Sequence, residues 1–312
     1  MAESLPPVIL WTLAGIVLLL ALVSAVLLAA VRAGRLGADH ELLLRTRSWW
    51  IIVTLFAVAV LLGPGATILL FGIASFLALK EYLSIVPTRR ADRALLLWAY
   101  LAIPVQYLWV AQGWYGMFVV WIPVYMFLLM PALMVLHGET RDFLRAAASL
   151  HFGLMATVFA LSHAAFLLVL PERPGVPAGG AGLLLFLLLV TEGNDVLQYA
   201  CGRLFGRRAV VPRVSPGKTV EGLLGGMGLA AALAALLAPA LTPYTAGEGL
   251  LLGFGLAAAG FLGDLAFSAL KRDLGRKDTG TLLPGHGGIL DRVDSLTYTA
   301  PLFFHITWYL HY

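Results

Sequence analysis

The residues best suited to chemistry fall in two polar stretches, 201–221 and 271–295. The second follows Ser268 and carries Lys271, Arg272, Lys277, Asp278, His286, Asp291, Arg292 and Asp294 among several glycines. A loop that only orients a membrane protein needs lysine and arginine. The acids, the histidine and the glycines need another explanation. Glycine lets the backbone approach a ligand closely and adopt positive φ, so the stretch reads as a loop folded round a charged ligand. Lysine and arginine hold phosphate through charge-assisted hydrogen bonds. Hard carboxylate oxygens without clustered cysteine or histidine point to Mg2+ rather than Zn2+. His286, flanked by glycines, suits a hydrogen bond to phosphate or a loop cap better than a metal.

The first stretch runs Gly202-Arg203-Leu204-Phe205-Gly206-Arg207-Arg208, then Pro212-Arg213-Val214-Ser215-Pro216-Gly217-Lys218-Thr219-Val220-Glu221. The Gly-Lys-Thr triplet resembles part of a P-loop, but that motif needs a glycine five positions earlier, after a strand. Pro212 stands there, and no strand is expected before it. Ser215, Lys218 and Thr219 nevertheless precede a helix expected to start near Glu221. Free N–H groups at a helix N-terminus, a lysine and two hydroxyls favour a polyphosphate. Ser215 or Thr219 can also cap that helix, and the two roles are compatible.

Four acids lie within or at the edges of apolar segments: Glu192, Asp195, Glu221 and Asp264. A carboxylate in hydrocarbon is expensive and marks a functional site by default. Asp264 precedes Ser268 by one helical turn and Lys271 by two, which puts the three on one face; a neutral helix-packing acid is the plainer alternative. Glu192 and Asp195 also share a face, where an ion pair with Arg203 or Lys271 competes with ligand binding.

The elements that must position these residues are apolar. The chain is 60% hydrophobic and 12% charged, against about 25% charged for soluble domains. A single cysteine, Cys201, excludes an intramolecular disulfide framework and a thiol metal cluster. Apolar segments fall near 8–31, 49–63, 66–79, 94–111, 115–136, 146–170, 182–200, 222–240, 250–270 and 296–311, several shorter than the ~20 residues of an independent span. Gly63-Pro64-Gly65 reads as a turn between two spans, with one kinked helix as the competing reading. The first run follows Glu3 and no basic residue and exceeds a signal peptide's apolar region, so it is expected to stay as a helix.

If every segment spans, 20 of the 21 Lys and Arg residues fall on one side and only Arg173 opposite. That side is then cytoplasmic and the N-terminus lies outside. Tryptophans near the span ends suit an interfacial belt. The expected fold is an all-α polytopic integral membrane protein of about ten transmembrane helices (eight to ten). Residues 1–180 form N-terminal membrane helices, and 181–312 form a catalytic membrane region with cytoplasmic loops 201–221 and 271–295.

The 268–294 stretch resembles the signature of the phosphatidate cytidylyltransferases (CDP-diacylglycerol synthases), S-x-x-K-R-x4-K-D, then H-G-G, then D-R-x-D, and meets its fixed positions. Asp195 to Gly206 looks like the family's D-x-x-x-Y-x-x-G-R-x-x-G element. Ser215 to Gly222 looks like its S-P-K-K-T-x-E-G element, with Gly217 for a lysine. Val220 stands for a tryptophan and Gln198 for a small residue. The matching positions occupy about the last 120 residues.

The resemblance implies transfer of CMP from CTP to phosphatidate, in a prokaryotic cytoplasmic membrane with the active-site loops inside. It implies that Asp264 and Asp291 hold the catalytic Mg2+ (a second cation left open), with Asp294 and Asp278 nearby. Ser215, Lys218 and Thr219 then contact the nucleotide, while Lys271, Arg272 and Lys277 bind phosphates. Asp195, Arg203, His286 and Arg292 complete the expected substrate-binding set. Expected partners are CTP, phosphatidate or a related membrane lipid phosphate, and the bilayer; a homodimer is left open and no nucleic acid is expected. The rivals are a CTP-dependent enzyme acting on another lipid, such as a polyprenol kinase, and a transporter, whose internal repeats are not visible here.

Overall fold

The computed structural model describes residues 5–35, 37, 40–87, 93–136, 138, 140–173, 175–282 and 287–312. Each of the ten apolar segments is helical. They are α1 (Pro7–Arg32), α2 (Glu41–Leu62), α3 (Pro64–Ile85), α4 (Arg93–Ala111), α5 (Tyr115–Leu136), α6 (Phe143–Val169), α7 (Gly179–Phe205), α8 (Val220–Leu241), α9 (Ala246–Asp273) and α11 (Leu296–His311). Eight are long and apolar enough to cross a membrane; the apolar part of α4, Leu95–Ala111, and the 16-residue α11 are shorter. The protein is an integral membrane protein of all-α build.

Gly63, with φ 107°, ends α2, and Pro64 opens α3. Proline suits a first helical turn because its missing N–H has no intrahelical partner there. The two helices pack on one another, so a turn joins them. Within α5 a π turn spans Trp121–Met126 and contains Pro123, which lacks the N–H that a regular α turn would use.

The site rests on α7, α8 and α9, which approach closely because small residues face each other. Gly222 and Gly226 share one face of α8, and Gly249 and Gly253 one face of α9. A Cβ at Gly222 would lie 2.8 Å from the Gly202 Cα, and one at Gly253 would lie 2.6 Å from the Ala231 Cα. In lipid, association depends on such packing rather than on hydrophobic exclusion. Polar side chains tie the bundle internally. Thr191 Oγ1 donates to Thr299 Oγ1 (3.0 Å), and Gln198 donates to the Asn194 oxygen (2.9 Å).

The stretch between α7 and α8 departs from expectation. A short antiparallel hairpin, β1 (Ala209–Val211) and β2 (Ser215–Thr219), fills it, with Ala209 opposite Thr219. A strand therefore does precede Pro212. The P-loop comparison still fails, since that motif sits between a strand and a helix and needs the missing glycine. Glu221 closes the hairpin, its Oε2 accepting from the N–H groups of Arg207 (2.8 Å) and Arg208 (3.1 Å). The second polar stretch is likewise partly helical: α9 runs to Asp273, and a single turn, α10 (Leu290–Val293), precedes α11.

Candidate active site

One end of the bundle gathers the C-terminal ends of α3 and α9, the lower part of α7, the N-terminal end of α8 with its hairpin, and α10. Spacing along α9 places Asp264, Ser268 and Lys271 on one face, and Ser268 Oγ donates to Asp264 Oδ1 at 3.1 Å. Lys218 reaches from β2 to pair with Asp264, and its ammonium also lies over the Phe261 ring, 4.8 Å from the centroid. Lys271 forms a second ion pair, with Asp291 on α10, at 2.7 Å.

The second pair is the more deeply held, with Lys271 and Asp291 both buried. Asp291 Oδ1 takes Lys271, while Oδ2 accepts from Thr279 N (2.9 Å), Thr279 Oγ1 (2.9 Å) and Gly288 N (3.0 Å). Burial alone would raise the pKa of Asp291, but the Lys271 hydrogen bond and charge and the two N–H donors outweigh it and hold the group below its ordinary value. The glycines of the motif now have particular tasks. Gly287 has φ 79°, a left-handed conformation that favours glycine. A Cβ there would also stand 2.6 Å from Asp291 Oδ2.

Asp294 and Asp195 meet around Ser295, whose N–H donates to Asp294 Oδ1 (2.8 Å) and whose hydroxyl donates to Asp195 Oδ2 (2.8 Å). Burial, then the charges of Asp264 and Asp195, push Asp294 up to about 8 against the pull of Lys271 and Arg292. An acid raised in the fold contributes stability that is fully present below its unfolded pKa and is lost as pH rises through its folded one. In chelator-containing buffer, thermal stability should therefore fall between about pH 4 and about pH 8. Asp294→Asn should flatten that slope, and equal slopes would refute the assignment.

Other expected residues stand apart. Arg203 and Lys277 are exposed. Asp195 binds Ser295 and Lys271 binds Asp291, so an ion pair between Asp195 and Lys271, one of the two readings open for that acid, gives way. The charge of Arg292 bears on Asp294, beside it in the chain. Arg272 turns to the carbonyls of Val214 (3.3 Å) and Arg276 (3.2 Å), tying α9 to the hairpin. Thr219 is the N-cap of α8, its Oγ1 accepting from Gly222 N at 3.1 Å, and Ser215 opens β2, half-buried. Asp278 is exposed beside Gly287. His286 lies outside the described residues.

Sequence reasoning missed Glu81. This acid at the C-terminal end of α3 accepts from Ile289 N (3.0 Å) and Leu290 N (2.9 Å), joining the N-terminal helices to the 271–295 stretch. Its signal was a carboxylate at the end of an apolar run, beside Lys80, where orientation calls only for basic residues.

The hard oxygens of Asp264 and Asp291 suit Mg2+ in donor chemistry. Among the described residues, however, no three Asp, Glu, His or Cys side chains are gathered into a ready metal site, and a lysine already pairs each of these two carboxylates.

Known proteins are similar to this chain. Uncharacterized protein YnbB of Escherichia coli (strain K12) is 43% identical over 273 residues, covering 87% of this chain and 89% of its own. The phosphatidate cytidylyltransferase of Pseudomonas aeruginosa is 46% identical over 143 residues, and that of Haemophilus influenzae 39% identical over 139. These matches cover 41% and 43% of this chain, and they span about half (48%) of each relative. Residues 43–310 match the family described as the Cytidylyltransferase family. A match of that extent, over a membrane bundle with basic and acidic side chains assembled at one end, places the chain in the cytidylyltransferase family and makes it a nucleotidyltransferase.

Proposed function

We propose that the protein transfers CMP from CTP to phosphatidate, forming CDP-diacylglycerol and pyrophosphate. The observation that carries this reading is the pair of lysines, Lys218 and Lys271, held beside Asp264 and Asp291 at one end of the bundle. Two relatives bear the name phosphatidate cytidylyltransferase, and that name agrees with this inventory. In the transfer a phosphatidate oxygen bonds to the α-phosphorus of CTP and the bond to pyrophosphate breaks. The attacking phosphate is already largely ionised near neutral pH, with a second pKa of about 6, so no general base is needed. The barrier is repulsion between anions and charge growing on the leaving group. Preorganised cations lower both, the role of Lys218, Lys271 and Arg292. Asp264 and Asp291 would hold Mg2+, which would supply further neutralisation of phosphate charge.

The segregation of 20 of 21 basic residues to one side supports an active-site end facing the cytoplasm, at the inner membrane of a prokaryote. CTP is available there, and the lipid headgroup lies at the same depth. The extended match to YnbB, against half-length matches to the phosphatidate enzymes, favours keeping a second reading, CMP transfer or CTP-dependent phosphorylation on another lipid. Release of pyrophosphate (CMP transfer) and of CDP (phosphorylation) from CTP by purified protein in micelles of phosphatidate, with a panel of other lipid phosphates and polyprenols beside it, separates the two. Release that requires phosphatidate and yields CDP-diacylglycerol is expected. Turnover confined to another lipid would replace the acceptor, and no CTP binding at all would end the nucleotidyltransfer reading.

Gly217 offers a separate test. It is exposed, with no heavy atom within 4 Å of a Cβ built there and without positive φ. Gly217→Lys is accommodated without strain and adds a cation one residue from Lys218. The KM for CTP should fall by roughly tenfold, the equivalent of about 1.4 kcal/mol, with folding unaffected. A KM unchanged or raised in CTP titrations would place the nucleotide elsewhere.

A further inference from the structure

Resting on the nucleotidyltransfer reading, we infer that Glu81 is a positioning residue for the reaction: a clamp on α3 that fixes the segment carrying Asp291 and Asp294. Oε1 of Glu81 accepts from Ile289 N at 3.0 Å, and Oε2 accepts from Leu290 N at 2.9 Å. The Thr279 hydroxyl lies 3.4 Å from the same Oε2 and 2.9 Å from Asp291 Oδ2. The first N–H groups of a helical turn have no partner within it, and here one carboxylate takes those of two successive residues. The next residue is Asp291 itself.

The surrounding backbone is shaped for this carboxylate. A Cβ at Gly280 would stand 2.9 Å from Glu81 Oε1, and one at Gly288 would collide with Oε2. Gly288 thus serves two acids at once, giving its N–H to Asp291 and leaving room for Glu81. The clamp is anchored from behind. The adjacent Tyr82 donates its hydroxyl to the Ser149 carbonyl at 2.8 Å, and its ring packs so closely on Gly153 that a Cβ there would lie 2.7 Å from a ring carbon. α3 and α6 together therefore hold Glu81 still, and Glu81 holds α10. A misplacement of about 1 Å at the reacting centre can cost about 100-fold, so a fixed α10 bears directly on turnover.

The test uses full-length protein in mixed micelles with phosphatidate and CTP. Glu81→Gln keeps the size and one acceptor oxygen but replaces the other by a donor facing N–H groups. Its kcat should fall about 10- to 100-fold, the usual cost of losing an outer-shell partner. KM for CTP should stay near that of the parent, because Glu81 sits behind the segment it holds. Glu81→Asp should recover part of the loss, and Gly288→Ala, which displaces the same carboxylate from the other side, should reproduce it. A readout without catalysis runs beside these: tryptic cleavage after Arg276 and Lys277 should quicken in Glu81→Gln. Unchanged cleavage, or unchanged kcat per folded molecule with only a lower thermal midpoint, overturns the inference. If the parent protein turns over no lipid, cleavage alone decides on the clamp, so its failure is distinct from failure of the proposed reaction.

Discussion

Asp291→Ala is expected to reduce CMP transfer by about 100- to 1,000-fold and to destabilise the fold at the same time. The side chains of Asp291 and Lys271 are 4% and 11% exposed, so the lysine charge loses its partner where water cannot replace it. Breaking such a pair from one side costs roughly 3–5 kcal/mol, and the donors on Thr279 and Gly288 lose their acceptor as well. Stability and chemistry can be separated by changing both partners. Lys271→Met with Asp291→Leu fills a similar volume without charge, a substitution that is often neutral or stabilising. The double variant should regain the part of the thermal stability that Asp291→Ala loses through the unpaired lysine, the Thr279 and Gly288 donors still lacking their acceptor, and regain no transfer. Thermal unfolding in detergent and pyrophosphate release per folded molecule measure the two effects. Transfer at the parent rate in either variant would remove Asp291 from the reaction.

Gly226→Leu should prevent assembly of the catalytic helices. A Cβ at Gly226 would lie 2.6 Å from the Cα and 2.7 Å from the N of Gln198 on α7. These are backbone atoms, so a changed rotamer cannot relieve the overlap and α8 must move away from α7. Overpacking of a well-packed interface typically costs about 1–3 kcal/mol, more where the backbone must shift, and α8 also carries the hairpin that presents Lys218. The expected result is aggregation on size exclusion in detergent, with Gln198→Ala unable to rescue it. A monodisperse, active Gly226→Leu protein would show that the two helices do not need this approach.

The helices were legible because a run of apolar residues long enough to span has few other fates. The composition predicted each of the ten segments, even the short 296–311, which the structure shows as a helix packed among longer ones. The one-face arrangement of Asp264, Ser268 and Lys271 was legible for the same reason, since 3.6 residues per turn fixes it. The hairpin at 209–219 was not. Its strands are three and five residues long, and Ser-Pro-Gly-Lys-Thr has neither the alternation nor the β-branched content that marks a strand. Its form comes from Glu221 and the turn at Pro212–Val214 rather than from side-chain propensity. Ion-pair partners were also out of reach. Lys218 had no sequence mark assigning it to Asp264, and for Asp195 the sequence offered Arg203, Lys271 or a ligand alike, whereas Ser295 stands between it and Asp294. Gln198 found its reason only in three dimensions, where it binds Asn194 and lies against Gly226.

Glu81 and Ile289 are 208 positions apart, and that interval is also a time. At roughly 5–20 residues per second, a ribosome needs about 10–40 s to make the residues between them. Throughout that interval α3 waits in the bilayer without the Ile289 and Leu290 N–H groups that its carboxylate accepts from. The reaction centre is therefore finished late in biosynthesis, once α10 emerges and docks against a helix made 208 residues earlier.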